Sequence, residues 1–389
     1  MTPRIEGRVN AGFEALGDAF AQAFAGRPQM GAALSVRVDG REVVGLWGGI
    51  ADERNGRPWE RSTPSVIFSC TKGLVSILAA QLVERGVLDY EAPVADYWPE
   101  FAAAGKDRIT VAQALSHRAG LSAPPIGQDL TLAEILDWPA VTARLAAQAP
   151  LWPPGSGYAY HAITHGWVVG EIIRRLTGMQ VGEAFARFVA GPLNAQAWIG
   201  NPGPAVAHLQ VHPDLAALWD AGRASNTPDS PNWLHRSTTL GRAFPDALVK
   251  GEEGFNDPRV QAAEIPGAGG IATAEALAAI WSATVAETEG VRLLRPETIA
   301  KATVVQSEGA TVFPVPPPYA RWGMGFQLDS EARRFLGPVS FGHDGAGGQI
   351  GFADPQYRVG CAFVTNWLEG PGDHRAVAIV DALRGIVAA

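Results

Sequence analysis

The stretch SCTKG, residues 69–73, opens an apolar run that extends to Val83. On a helix this run would be apolar on nearly every side, so the sequence predicts a buried helix over residues 73–84. Lys72 stands at its start, although the whole chain has only four lysines. A lysine at this position requires an explanation, because burying an ammonium group is costly.

Ser69 and Lys72 are the two residues of this stretch that carry chemistry. At positions i and i+3 of a helix they project from one face, about one turn apart. Ser69 would lie near the helix N-terminus, where backbone N–H groups favour developing negative charge. Desolvation would lower the pKa of Lys72 toward usefulness as a base, so the pair predicts an activated serine nucleophile. The alternative is a helix cap followed by a lysine that reaches the surface, and the S-x-x-K motif alone does not decide between the two.

The composition excludes several classes of function. The chain has 389 residues, of which 47% are hydrophobic and 18% charged, enough to bury a sizeable core. A net charge of −8 without a basic run argues against a nucleic-acid partner, and no apolar run is long enough to span a membrane. Cys70 and Cys361 give no disulfide framework, and the N-terminus mixes acidic residues into an amphipathic pattern unlike a signal peptide. We therefore expect a cytoplasmic protein, whose oligomeric state stays open.

No motif predicts a cofactor or a metal ion. The glycines at 267–270 and 345–351 miss the G-x-G-x-x-G spacing of nucleotide-binding loops. Two histidine pairs at 161/165 and 208/212 have the spacing of a zinc site but lack the glutamate of HExxH. The motif G-x-S-x-G is also absent, which argues against an α/β-hydrolase.

Strand patterns occur at both ends of the chain and helical patterns lie between them. A helical pattern from Val9 to Phe24 precedes a β-hairpin that turns at Asp39-Gly40, and strand patterns return between residues 323 and 367. Further helices are predicted at 73–84, 110–117, 131–147, 164–176, 181–190, 273–287 and 375–387, with a Pro/Gly-rich loop region at 199–268. The expected fold class is α+β, with an antiparallel sheet flanked by the terminal helices and an inserted, mainly helical domain. We place residues 1–68 and 290–389 in the discontinuous α/β domain and residues 69–289 in the helical domain.

Three later segments accompany the S-x-x-K motif in a fixed order. ITVAQALSHRAGL (109–121) contains L-S-H-x-x-G-L, PPGSGYAY (153–160) contains P-G-x(4)-Y, and FGHDGAGGQIGF (341–352) contains H-x-G. Together the four landmarks resemble the serine hydrolases related to class C β-lactamases and penicillin-binding proteins, and most of all the family VIII carboxylesterases. The resemblance extends from about residue 30 to 370. It implies a β-lactamase-like fold with the active site between the two domains.

The resemblance also implies roles for individual residues. Ser69 would be the nucleophile, Lys72 and Tyr160 its proton-transfer partners, and the backbone N–H groups of Ser69 and Ala346 the oxyanion hole. A nearby lysine cation is expected to stabilise the Tyr160 phenolate. Which of the two groups is the base stays open, because groups this close titrate as one unit.

Two departures from the class C pattern bear on the substrate. Where those enzymes carry Tyr-x-Asn and Lys-Thr-Gly, this chain has Tyr160-His161-Ala162 and His343-Asp344-Gly345. The serine, lysine and tyrosine are present without two lactam-recognition groups, which favours cleavage of short-chain carboxylic esters. One alternative is a β-lactamase or a D-amino-acid peptidase or acyltransferase, and another is a penicillin-binding-type sensor that is acylated and does not turn over.

Residues in and around the motifs are expected to contact the ester substrate. They are His343, Asp344, Gly345, Tyr158, His161, Trp152, Trp233 and Trp367. Cys70 is expected to be a buried inert thiol, and His117 and Arg118 to support the helical domain.

Overall fold

Antiparallel strands from the two ends of the chain pair in the main sheet of this computed structural model, which describes residues 4–224, 227, 229–370 and 372–388. The strands, in chain order, are β1 (Ile5–Val9), β2 (Gly31–Val38), β3 (Arg41–Asp52), β4 (Arg57–Pro58), β5 (Ser65–Phe68), β6 (Ala197–Ile199), β7 (Gln210–Val211), β8 (Val249–Lys250), β9 (Glu253–Gly254), β10 (Gly270–Ala272), β11 (Arg321–Trp322), β12 (Gln327–Leu328), β13 (Phe341–Gly345), β14 (Gln349–Asp354), β15 (Val359–Thr365) and β16 (Trp367–Leu368).

The helices lie between these strands and at both ends of the chain. They are α1 (Glu14–Gln22), α2 (Cys70–Glu84), α3 (Val94–Tyr97), α4 (Val111–Leu115), α5 (Leu132–Ile135), α6 (Trp138–Ala147), α7 (Thr164–Thr177), α8 (Val181–Phe185), α9 (Pro213–Ala224), α10 (Trp233–Thr239), α11 (Pro258–Ala262), α12 (Ala274–Val285), α13 (Pro296–Ala302) and α14 (Arg375–Val387). Within the described ranges, none of them is long and apolar enough to cross a membrane.

The main sheet has the strand order β1-β3-β2-β15-β14-β13-β12-β11, with β4 paired to β3. Strand β2 pairs along its length with β15, so the N-terminal and C-terminal parts of the chain meet at the middle of the sheet. The predicted hairpin of β2 and β3 is confirmed. Its turn residues Asp39 and Gly40 have φ values of 49° and 78°, as the favoured two-residue hairpin turns require. The α+β class expected from the sequence is confirmed.

Helices cover both faces of this sheet. The terminal helices α1 and α14 pack together on one face, where side chains such as Leu16, Phe20 and Ile379 form an apolar core with Phe352 and Phe363. On the other face α12 packs against β2, β14 and β15, and α2 packs against β13. The predicted placement of the terminal helices on one face is therefore confirmed.

The structure corrects three details of the predicted arrangement. Residues 5–9 form an edge strand that pairs with β3, so the N-terminal helix begins only at Glu14. The region 199–268, predicted as loops, contains the helices α9, α10 and α11. Helix α12, which the predicted boundary assigns to the helical domain, packs on the main sheet. The domain boundaries otherwise stay a prediction.

A small second sheet sits where the S-x-x-K segment begins. Strand β10 pairs with β5 on one side and with β6 on the other. Strand β5 ends at Phe68 and α2 begins at Cys70, so this sheet fixes the start of the helix that carries Lys72.

Candidate active site

Ser69 occupies the tight junction between β5 and α2. The residue before it, Phe68, has a φ of 44°, a left-handed conformation that is costly for a bulky side chain and that often marks a functional site. Ser69 stands at the N-cap position of α2, but its side chain makes no capping hydrogen bond. It lines a cavity instead, so the alternative of a plain helix cap does not fit.

Lys72 lies one turn into α2 and is completely buried. Its Nζ atom is 3.2 Å from Ser69 Oγ, 2.5 Å from the carbonyl oxygen of Ala162 and 2.7 Å from that of Gly267. Burial lowers the pKa of Lys72 from 10.5 to about 7. In the neutral amine two N–H bonds can donate to the two carbonyls, which leaves the lone pair to accept the proton of Ser69. The lysine is therefore not a surface residue, and its surroundings suit a general base.

Tyr160 completes this group of side chains. Lys72 Nζ lies 4.8 Å from the centre of its ring, whose other contacts include a stacked Trp322 at 5.2 Å. Burial raises the pKa of the Tyr160 hydroxyl above its ordinary value, although a hydrogen bond with Ser69 opposes the increase. Burial disfavours both the lysine cation and the phenolate, so it opposes the expected stabilisation of the phenolate by Lys72. Which of the two groups is the base stays a prediction.

The turn after β13 brings Ala346 to the same cavity as Ser69. Gly345, just before it, runs so close to β5 that a Cβ atom there would lie 2.5 Å from the carbonyl oxygen of Ile67. Only glycine fits this approach. The backbone N–H groups of Ser69 and Ala346 stay the predicted oxyanion hole.

The cavity next to Ser69 has a volume of about 450 Å³ and walls rich in aromatic side chains. Among the residues predicted to contact substrate, four line it: Tyr158, Trp233, Asp344 and Gly345. Trp233 stacks on Phe313 at 4.7 Å, and the Tyr158 hydroxyl donates to the carbonyl oxygen of Gly309 at 2.7 Å.

The other four predicted contact residues lie outside the described cavity wall. His343 is fully buried, with its ring 5.3 Å from that of Trp322. His161 is used inside the protein, since its Nε2 accepts from the N–H of Leu121 at 3.0 Å. Trp152 packs behind the wall against Phe313, and Trp367 packs against His212 near the C-terminal strands. Proximity in sequence to a motif did not predict the direction of these side chains.

Several wall residues were missed by the sequence analysis. They come from α9, from the loop before β11 and from β11 itself, and include Trp219, Phe313, Tyr319 and Trp322. None belongs to a recognisable motif. The one signal for them was the abundance of tryptophan, since the chain has 12.

Buried histidines surround Tyr160 on the side away from the cavity. The ring of His117 lies 4.8 Å from that of Tyr160, and its Nδ1 accepts from the backbone N–H of His161. Burial lowers the pKa of His161 and of His343 to about 4, and it lowers those of His117 and His165 as well. All four are neutral near pH 7, so they add no positive charge next to Lys72.

Cys70 points away from the reaction site. It is fully buried, and its Sγ donates to the carbonyl oxygen of His343 at 3.2 Å. Burial raises the pKa of its thiol, which disfavours the reactive thiolate.

Comparison with known proteins shows the family of this chain. The sequence profile of the family described as Beta-lactamase matches residues 20–385. The esterase/beta-lactamase LipL of Mycobacterium tuberculosis is 36% identical over 377 residues, which cover 95% of this chain and 84% of that protein.

Solved structures show the same likeness along nearly the whole chain. A crystal structure of a family VIII carboxylesterase superposes with a TM-score of 0.85 at 33% identity, covering 98% of this chain and all of the other. A penicillin-binding protein homologue from Caulobacter crescentus gives a TM-score of 0.84 at 36% identity, with the same coverage.

Proposed function

The chain belongs to the beta-lactamase family, and from this premise we propose that it hydrolyses short-chain carboxylic esters through an acyl-enzyme on Ser69. It is a serine hydrolase of the group that includes beta-lactamases and family VIII esterases. The observation that carries the proposal is the contact of a buried Lys72 amine with the hydroxyl of Ser69 at the edge of an apolar cavity.

The proposed acylation step begins with a proton transfer. Neutral Lys72 takes the proton of Ser69 as Oγ attacks the ester carbonyl, and the backbone N–H groups of Ser69 and Ala346 bind the resulting oxyanion. When the tetrahedral intermediate collapses, the C–O bond to the alcohol breaks and the leaving alkoxide receives a proton. In this proposal Tyr160 relays that proton from Lys72. The role is supported by the position of its ring, 4.8 Å from the amine, and by the interaction of its hydroxyl with Ser69.

Deacylation repeats these steps with water as the nucleophile. Lys72 is again neutral and can accept a proton from the water, which attacks the acyl carbon and releases the carboxylic acid. Ser69 Oγ then recovers its proton from Lys72, directly or through Tyr160. Every proton taken up is returned, so the cycle needs no cofactor.

The cavity wall favours esters over lactams. LipL is described both as an esterase and as a beta-lactamase, and similar proteins include an esterase and a penicillin-binding protein homologue. Resemblance alone therefore does not decide between ester and lactam substrates. Strand β13, which the proposed oxyanion turn follows, has Asp344 at the cavity wall. Class C β-lactamases carry Lys-Thr-Gly where this chain has His343-Asp344-Gly345. A lactam carboxylate placed at this strand would meet a negative charge.

Steady-state and burst kinetics with p-nitrophenyl acetate test the proposal. Continuous release of p-nitrophenol, lost in the Ser69→Ala variant, is the expected result. A burst of one equivalent followed by no turnover would support the acylated sensor instead. Equal efficiency on p-nitrophenyl acetate and benzylpenicillin would support the lactamase alternative.

A further inference from the structure

The cavity wall carries a single charged side chain among the described residues that line it. That residue is Asp344, whose side chain is 29% exposed. Its Oδ2 atom accepts from Arg333 at 2.7 and 3.0 Å, yet Arg333 is not among the described wall residues. A group bound in the cavity would therefore meet the carboxylate before the guanidinium.

Asp344 is held firmly in this place. Its backbone N–H donates to the side-chain oxygen of Gln327 at 3.0 Å, and it precedes the Gly345–Ala346 turn. Although burial opposes ionisation, the neighbouring Arg333 keeps the pKa of Asp344 below its ordinary value. The carboxylate is thus negative throughout the neutral pH range, one residue before the proposed oxyanion turn.

Most of the other described residues that line the cavity are apolar or aromatic. Two stacked pairs, Trp233 with Phe313 and Tyr160 with Trp322, line the cavity, and the hydroxyl of Tyr158 donates to a backbone carbonyl. Aromatic walls of this kind favour large apolar groups. A charged group moved into such a cavity would lose much of its hydration, at a cost in free energy.

We propose that the substrate is an uncharged ester with a bulky aromatic or branched apolar group on one side of the ester bond, and that Asp344 excludes esters that carry a carboxylate. This inference rests on the proposed esterase function. It assigns Asp344 as a specificity-determining residue: the carboxylate repels a second anion next to the proposed oxyanion turn, and the aromatic pairs contact the apolar group.

Two matched ester pairs test the exclusion of charge on either side of the bond. The first is methyl 4-acetoxybenzoate against 4-acetoxybenzoate, and the second is the 4-nitrophenyl methyl diester of terephthalic acid against its 4-nitrophenyl monoester. For each pair, the kcat/KM of the neutral ester is divided by that of the anionic ester. This ratio is then divided by the ratio of the rate constants for hydroxide-catalysed hydrolysis of the same two esters, which gives the corrected ratio. We expect the corrected ratio to be at least about tenfold in one pair or both, since like charges brought together in a cavity are strongly disfavoured.

Substitutions identify the residue responsible. Asp344→Asn should reduce the corrected ratio at least about threefold, because it removes the charge and keeps the shape. Asp329→Asn is the matched control, since Asp329 also accepts from an arginine, Arg334, and lies outside the described cavity wall. It should leave the ratio unchanged. The wild-type ratio decides the proposal even if a variant does not fold.

A separate measurement tests whether the aromatic wall binds a bulky apolar group. It is the kcat/KM for α-naphthyl acetate divided by the kcat/KM for phenyl acetate. This ratio should fall at least about threefold in Trp233→Ala, because the variant removes one of the apolar ring faces. Corrected charge ratios near one in both ester pairs, or an unchanged naphthyl preference in Trp233→Ala, would overturn the inference while leaving an active esterase. Absence of hydrolysis of every ester would instead overturn the proposed function.

Discussion

The Nζ atom of Lys72 lies 3.2 Å from the Oγ atom of Ser69, and its two other hydrogen bonds are to the carbonyl oxygens of Ala162 and Gly267. Carbonyl groups orient an amine without carrying the full negative charge that would hold it protonated. Burial lowers the pKa of Lys72 to about 7, although the negative charge of Asp344 opposes the decrease. A lysine in such surroundings can serve as a base in the physiological pH range.

Replacement of Ser69 by alanine should remove ester hydrolysis and leave the fold intact. Loss of a covalent nucleophile costs about three orders of magnitude in rate or more. The measurements are kcat/KM for p-nitrophenyl acetate and the thermal midpoint. A phosphonate directed at serine should label Ser69 alone in peptide mass mapping, and the exposed Ser62 is the control site. Retention of a tenth of the activity by Ser69→Ala would refute the assignment.

Lys72→Met and Tyr160→Phe should each be nearly inactive, and the double variant hardly worse than either one. The two side chains touch each other and both contact Ser69, so they move protons as a unit and their losses should not add. The comparison is of kcat for the four proteins at one pH. Additive losses would mean that lysine and tyrosine act independently.

The rate should rise with pH and reach a plateau above about pH 7. The base form of Lys72 is the neutral amine, which is populated above its pKa of about 7, while Tyr160 keeps its proton there because burial raises its pKa. A profile of kcat/KM from pH 5 to 9 checks this, with Lys72→Met as the control. A rate independent of pH over that range would exclude Lys72 as the base.

The same pKa shift should appear in the stability of the protein. The pKa of Lys72 falls from 10.5 in the unfolded chain to about 7 in the folded one, so between these values the unfolded chain binds more protons. The contribution of Lys72 to the free energy of unfolding therefore increases with pH from 7 to 10.5, by at most about 1.4 kcal/mol per pH unit. Lys72→Met should lack this slope, which denaturant titrations at several pH values can measure.

The sequence could predict the reacting residues because their relationships are local or fixed by motifs. Ser69 and Lys72 are one helical turn apart, and that distance follows from helix geometry alone. The walls of the cavity could not be predicted in this way. Trp219 and Phe313 lie far apart in the chain and come together only through tertiary packing.

The direction of neighbouring side chains on β13 was the clearest missed signal. Successive residues of a strand point to opposite faces, so His343 and Asp344 could not both face the substrate. In the structure His343 is buried against Trp322 and Asp344 lines the cavity. Strand alternation would have excluded either His343 or Asp344 as a substrate contact. The sequence does not show which of the two, because it does not show which face of the strand other elements bury.

The protein should prefer a short p-nitrophenyl ester to benzylpenicillin by about a thousandfold or more in kcat/KM. Benzylpenicillin carries a carboxylate, and β13 contributes the negatively charged side chain of Asp344 to the cavity wall. Ala162 offers no side-chain hydrogen bond to the lactam's amide group. Loss of one charge-assisted and one neutral hydrogen bond costs about 2–4 kcal/mol, and repulsion adds to that cost.

Substitution of Asp344 is the informative test of this preference for the p-nitrophenyl ester over benzylpenicillin. Asp344→Thr removes the repulsion and should increase kcat/KM for benzylpenicillin relative to the ester. His343→Lys should not help, because the buried position of His343 next to Tyr160 and Trp322 would place the new ammonium group away from the cavity and would disfavour protonation of Lys72 further. Parallel assays of both substrates in the wild type and the two variants measure this. Comparable efficiencies in the unmodified protein would contradict the esterase proposal, and an increase confined to His343→Lys would show that this side chain, rather than Asp344, faces the substrate.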